Sequence, residues 1–148
     1  MITPIWKILV LMSVLGLTLS YQATVKLDQT TYMVSYTLRN GHLTTVRISS
    51  GYMEIIDPNG LRIGNANIVE PVDIAPGGQA TLKIHVVLTE PLSVLTKRYP
   101  AEERVTFRGH IMYDTGWLSW LVGSGKLEFD EKVPIGMILE YLGLYGVE

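Results

Sequence analysis

The sequence predicts an all-β fold: an antiparallel β-sandwich of about seven strands, preceded by one N-terminal hydrophobic helix. Three observations predict it. First, Ala80, Leu82, Ile84, Val86 and Leu88 alternate with Thr81, Lys83, His85 and Thr89, a period of two that gives a strand with one buried face. Second, turn signals recur at short intervals between residues 40 and 134, with no room for the helices of about 10–15 residues that parallel strands need between them. Third, residues 8–25 carry no charge. A β-layer with an apolar face must cover it with a second layer. A small closed barrel is the alternative closure.

The uncharged run, ILVLMSVLGLTLSYQATV, follows Lys7. As a helix it would span about 27 Å, close to the thickness of a hydrocarbon core. Three readings stand: an uncleaved anchor with the domain outside the cytoplasm, a secretory signal cleaved after Ser20, and a buried core helix. Trp6 and Tyr21 bracket the run as interfacial aromatics do, which favours the anchor and makes the lipid bilayer the first expected partner. The chain then divides into an anchor or signal segment (1–25), a β-sandwich domain (26–134) and an apolar C-terminal tail (135–148).

Within the domain, Tyr32, Val34, Tyr36 and Leu38 share one face of a strand over 31–39. Asn40-Gly41 reads as a turn. Val46–Ile48 and Tyr52–Ile56 form extended pieces interrupted by Ser-Ser-Gly, the signature of a bulge. Asp57-Pro58-Asn59-Gly60 is a turn in which Pro presets φ and Asn-Gly accepts left-handed geometry. Leu61, Ile63 and Val69 flank a polar middle and suggest an irregular or edge strand. Ala75-Pro76-Gly77-Gly78 turns into the alternating strand. Residues 89–103 form a loop with a helical turn at Ser93–Lys97. Strands follow over 104–113 and 125–133, ended by Pro134.

These residues carry a resemblance. Asp57-Pro58-Asn59-Gly60, Ile63-Gly64, the stretch Val72–Leu82, Phe107–Ile111, Leu127-Glu128-Phe129 and Val133-Pro134 are together similar to the group 2 late-embryogenesis-abundant family. Its module is the water-stress and hypersensitive-response (WHy) domain. The likeness covers about residues 24–134. The family's Asn-Pro-Asn segment is not reproduced; Arg39-Asn40-Gly41-His42 stands there, with Asn40 alone in common. The resemblance implies an immunoglobulin- or fibronectin-III-like sandwich without enzymatic activity. It also implies a role in protecting proteins or membranes under stress or desiccation, with N-terminally anchored members.

The chain's 148 residues are 47% apolar, enough for one domain with its own core. Twelve basic and 14 acidic residues give a net charge of -2, with no basic stripe for nucleic acid. Without cysteine there are no disulfides or thiolate metal sites. His42, His85 and His110 lie far apart, and no carboxylate stands at ligand spacing beside them. Glu102-Glu103 and Asp130-Glu131 are adjacent pairs, so on a strand they point to opposite faces. Asp57–Gly60 lacks the spaced oxygens of a calcium loop. Gly77-Gly78 is not a phosphate loop, and no serine lies in a nucleophile-elbow context. The expectation is therefore no enzyme, no cofactor and no metal.

Two stretches are suited to contact. Trp117, Leu118, Trp120, Leu121 and Val122 read either as a hairpin tip over the core or, with Trp6, as a wedge for a membrane or partner. Ile135, Ile138, Leu139, Leu142 and Tyr145 fit helical spacing in a tail too short to span a bilayer. That tail could cap the body, lie on lipid or dock on another subunit. The favoured function is a membrane-tethered, non-enzymatic protective module. The alternative is a subunit of an extracellular filament or surface layer with the N-terminal helix in its core. A lipid carrier is disfavoured because small sandwiches fill their interiors with side chains.

Overall fold

The computed structural model describes residues 16–41, 43–115 and 125–145. They form strands β1 (Leu17–Lys26), β2 (Thr31–Asn40), β3 (Val46–Ile56), β4 (Arg62–Ile68), β5 (Val72–Ile74), β6 (Gln79–Leu88), β7 (Arg104–Asp114) and β8 (Gly125–Pro134). Two short helices accompany them, α1 (Leu92–Arg98) and α2 (Ile135–Tyr141). The strands make one continuous antiparallel sheet in the order β1-β2-β6-β4-β3-β7-β8, with β5 paired to the first part of β3.

Every long strand puts its apolar set on the same side. Tyr32, Val34, Tyr36 and Leu38 on β2 stand beside Leu82, Ile84, Val86 and Leu88 on β6, and Val105, Phe107 and Ile111 on β7 beside Phe129 and Val133 on β8. On β3 the buried set changes phase, from Val46 and Ile48 to Met53 and Ile55. A register shift between Ile48 and Ser50 against β7 absorbs the extra residue, so the Ser-Ser-Gly interruption is a bulge that keeps both halves facing inward. All these side chains belong to one buried cluster, so the sheet wraps around its own apolar face.

Three expectations are corrected here. The eight strands are not two separate stacks of an immunoglobulin- or fibronectin-III-like sandwich, because β4 bonds to β3 on one side and to β6 on the other. β4 is thus interior to the sheet rather than an edge, its polar Asn65 and Asn67 facing outward. The N-terminal helix expected over 8–25 is overturned at Leu17–Lys26, a strand that pairs with β2 along its length. Its sequence already alternated, with Leu17, Leu19 and Tyr21 inward and Thr18 and Ser20 outward, but the uncharged context hid the period. The cleavage point read after Ser20 falls inside this strand. Among the described residues no helix is long and apolar enough to cross a membrane. The bilayer as partner through that helix, the membrane-anchored localisation and a filament core built on it all lose their basis. Trp6 and the rest of 1–15 lie outside the described residues.

The two edge strands, β1 and β8, are far apart in the hydrogen-bonding order, yet α2 links them. It leaves β8 at Pro134 and buries Ile135, Ile138 and Leu139 in the core. Its far end docks on the β1–β2 side. The Tyr36 hydroxyl donates to the Tyr141 carbonyl, and Thr24 Oγ1 donates to the Leu142 carbonyl at 2.9 Å. Its near end is held by the loop after α1, where the Ile135 and Gly136 amides donate to the carbonyls of Glu103 and Ala101 at 2.8 and 2.9 Å.

Burial, with a smaller push from Tyr21, raises the Tyr36 phenol to about 12. The folded chain then holds a proton that the unfolded chain has lost, so stability falls as pH rises from the ordinary phenol value of about 10 towards 12. Burial, with the Asp57 hydrogen bond, raises the Tyr99 phenol too. Ultraviolet titration should therefore show a late-ionising component that Tyr36→Phe reduces but does not abolish.

Two polar groups organise the ends of the body. Asn40 is buried at the end of β2, where Nδ2 donates to the carbonyls of Thr44 at 2.9 Å and Ile74 at 2.7 Å. Its own amide and carbonyl bond to Gly78 and Gly77. Asn40 therefore does not turn the chain in left-handed geometry, since no residue other than glycine has positive φ among the described residues. It ties the loops before β3 and β6 together. At the other end, Asp57 Oδ1 accepts from the Asn59 and Leu61 amides, and Oδ2 accepts from the Tyr99 hydroxyl at 2.7 Å. The Tyr99 bond first, and then the Leu61 amide, hold this carboxyl below the usual carboxylate range. Gly60 closes the turn with φ of 85°, the geometry for which glycine is suited.

Candidate binding surfaces

The outer side of the sheet is as polar as the inner side is apolar. Register places Met33, His85, Asn67, Tyr52, His110 and Glu128 in one row across β2, β6, β4, β3, β7 and β8. Each follows from the period of two: these residues are out of phase with the buried set of their own strand. His85 and His110 share this face, but two strands separate them, about 14 Å along the row. They cannot share a metal ion. Among the described residues no group of three or more His, Asp or Glu side chains is placed to hold one. His42 lies outside the described residues.

Beside the row, charges are ion-paired, two pairs across strands and one within β8. Arg108 meets Asp130 at 3.3 Å, Arg47 meets Asp73 at 2.8 Å, and Lys126 meets Glu128 at 2.9 Å. The first two are direct cross-strand neighbours. The Lys126 ammonium, with a smaller contribution from His110, holds the Glu128 carboxyl below its ordinary value. A shallow depression of about 370 Å³ runs among Tyr52, Glu54, Arg108, His110, Lys126 and Glu128. Its two cations, Arg108 and Lys126, are each held by a carboxylate, Asp130 and Glu128, with Glu54 as a further carboxylate in the lining. Glu102 and Asp130, members of the two acidic pairs, sit on different parts of the body, Glu102 in the loop after α1 and Asp130 on β8.

A second, larger feature is an open groove of about 1170 Å³ between β1 and α2. Leu17, Leu19 and Tyr21 form one wall and Met137 and Tyr141 the other, with Glu102 and Glu140 among the polar lining. Thr18, from the outward face, lines it too, so the groove follows the edge of β1. Of the tail residues read as helical, Ile135, Ile138 and Leu139 are buried in the core, while Tyr145 lines this groove. Trp117, Leu118, Trp120, Leu121 and Val122 lie outside the described residues. The sequence reading missed the outer row altogether, because only strand register brings its members together.

No family model matches the sequence, and no curated protein matches it. Solved structures similar in chain path include a structural-genomics target (12% identity, 83% of this chain and 86% of that one, TM-score 0.40). They also include a protein from Archaeoglobus fulgidus (13%, 80% and 94%, 0.43). A third is a protein assigned to the late embryogenesis abundant group and solved in solution (15%, 86% and 86%, 0.39). With TM-scores below 0.5, these likenesses decide nothing about activity.

Proposed function

We propose that this chain is a non-enzymatic protective module of the stress or desiccation type, which shields other proteins by polar contact through its outer face. One observation carries the reading. The sheet turns its buried apolar set inward and a charged side outward across β3, β7 and β8, where Arg47, Arg108 and Lys126 are each ion-paired. Exposed ion pairs of this kind contribute little to folding stability. Their use is to bind water and polar surface, which suits contact with many partners. The sequence resemblance over residues 24–134 supports the same class.

The test is to dry lactate dehydrogenase with this protein and with an equal mass of serum albumin. More residual enzyme activity with this protein is expected, and the triple variant Arg108→Ser, Lys126→Ser, Glu128→Ser should fall back to the albumin level. Protection no better than albumin, or unchanged in the variant, would overturn the proposal.

A further inference from the structure

The two edges of the sheet are built differently. β8 carries Lys126, Glu128, Asp130, Glu131 and Lys132 and ends in Pro134. Charges and proline are the usual guards of an edge strand against pairing with another chain. β1 carries no charge from Leu17 to Val25. Among the described residues it has no hydrogen-bonded strand on its second side. A bulge at Tyr21–Ala23 interrupts it and the end of α2 docks beyond it on Thr24, which leaves Leu17–Tyr21 as a regular strand. On its outward face Thr18 and Ser20 are exposed, and the groove shared with α2 runs along the segment, although Leu17 itself is buried.

Leu17–Tyr21 is also self-complementary. Set antiparallel to a second copy about a two-fold axis at Leu19, it opposes Leu19 to Leu19, Leu17 to Tyr21, and Thr18 to Ser20. Apolar residues meet apolar ones on the inward face, and hydroxyls meet hydroxyls on the outward face. These are favourable cross-strand pairs, and no like charges are opposed. The contact is isologous and closes at two copies.

We propose that the protein forms a two-fold homodimer in which β1 of one copy pairs with β1 of the other over Leu17–Tyr21. The two sheets join into one, and the unguarded edge is consumed. The pairing uses the β1 edge, not the polar face assigned to client contact, so either proposal can fail without the other.

The test exploits the register. Thr18 and Ser20 are exposed, so changing them spares the core. Full-length protein is examined by sedimentation velocity over a concentration series, with circular dichroism to confirm folding. A concentration-dependent dimer is expected for the natural sequence. Thr18→Lys with Ser20→Lys opposes lysine to lysine twice in the dimer and should raise its Kd about tenfold or more. Thr18→Glu with Ser20→Lys opposes glutamate to lysine and should restore it. A monomer at all concentrations would overturn the proposal. So would open-ended assembly, a double-lysine variant that dimerises like the natural chain, or a folded charge-swap variant that fails to recover.

Discussion

Gly109→Ala should destabilise the fold by about 3 kcal/mol or more, a lower urea midpoint with an unchanged slope. Gly109 is on β7, in the inward-facing phase, opposite Met53 of β3. A Cβ there would strike the Tyr52 carbonyl oxygen and stand 2.8 Å from Met53 Cα. Both are backbone atoms in the middle of the sheet, so no side chain can swing away. On the other flank, Gly109 is paired with Phe129, whose ring stacks on Phe107 at 5.1 Å. The missing side chain of Gly109 is what lets β3 and β7 approach while two large rings share the space beside them. A substitution at this position that leaves the urea midpoint unchanged would contradict the packing described here.

Asn40→Asp should cost about 4 kcal/mol at neutral pH, the scale of an uncompensated buried charge. The Nδ2 group now donates to two carbonyls, those of Thr44 and Ile74. A carboxylate in its place would face two acceptors with nothing to donate. Burial and these oxygens would raise its folded pKa above the unfolded aspartate value. The folded variant would then bind a proton more readily than the unfolded one, and its stability should recover as pH falls through the raised pKa. Urea unfolding at pH 7 and pH 5 checks this: the gap between the variant and the natural chain should narrow at the lower pH. A gap that widens on acidification would mean that Asn40 is not the buried donor seen here.

Much of the strand content was legible because period-two alternation survives wherever one face is buried. The pattern at Ala80–Leu88, at Tyr32–Leu38 and at Val105–Ile111 gave strands at their places. The Asp57–Gly60 turn was legible too, since proline and Asn-Gly act locally. β1 was misread because Leu17, Leu19 and Tyr21 alternate with small neutral Thr18 and Ser20, and nothing charged marks the outward side. β4 was taken for a weak strand because its outward Asn65 and Asn67 dilute its apolar content, although it has strand neighbours on both sides. The outer row was not legible at all. His85, Asn67, Tyr52, His110 and Glu128 are brought together by hydrogen-bond register across five strands, which no local spacing encodes.

The link made by α2 has a kinetic side. Tyr36 is 105 positions from Tyr141, and Thr24 is 118 from Leu142. Contacts of such span are entropically expensive to form first, and sheets dominated by them fold in about milliseconds to seconds rather than microseconds. On the ribosome, the first strands must wait until the segment through Leu142 has emerged before their clasp can fasten. During that interval the nascent chain, rather than the finished protein, is the species most exposed to mispairing.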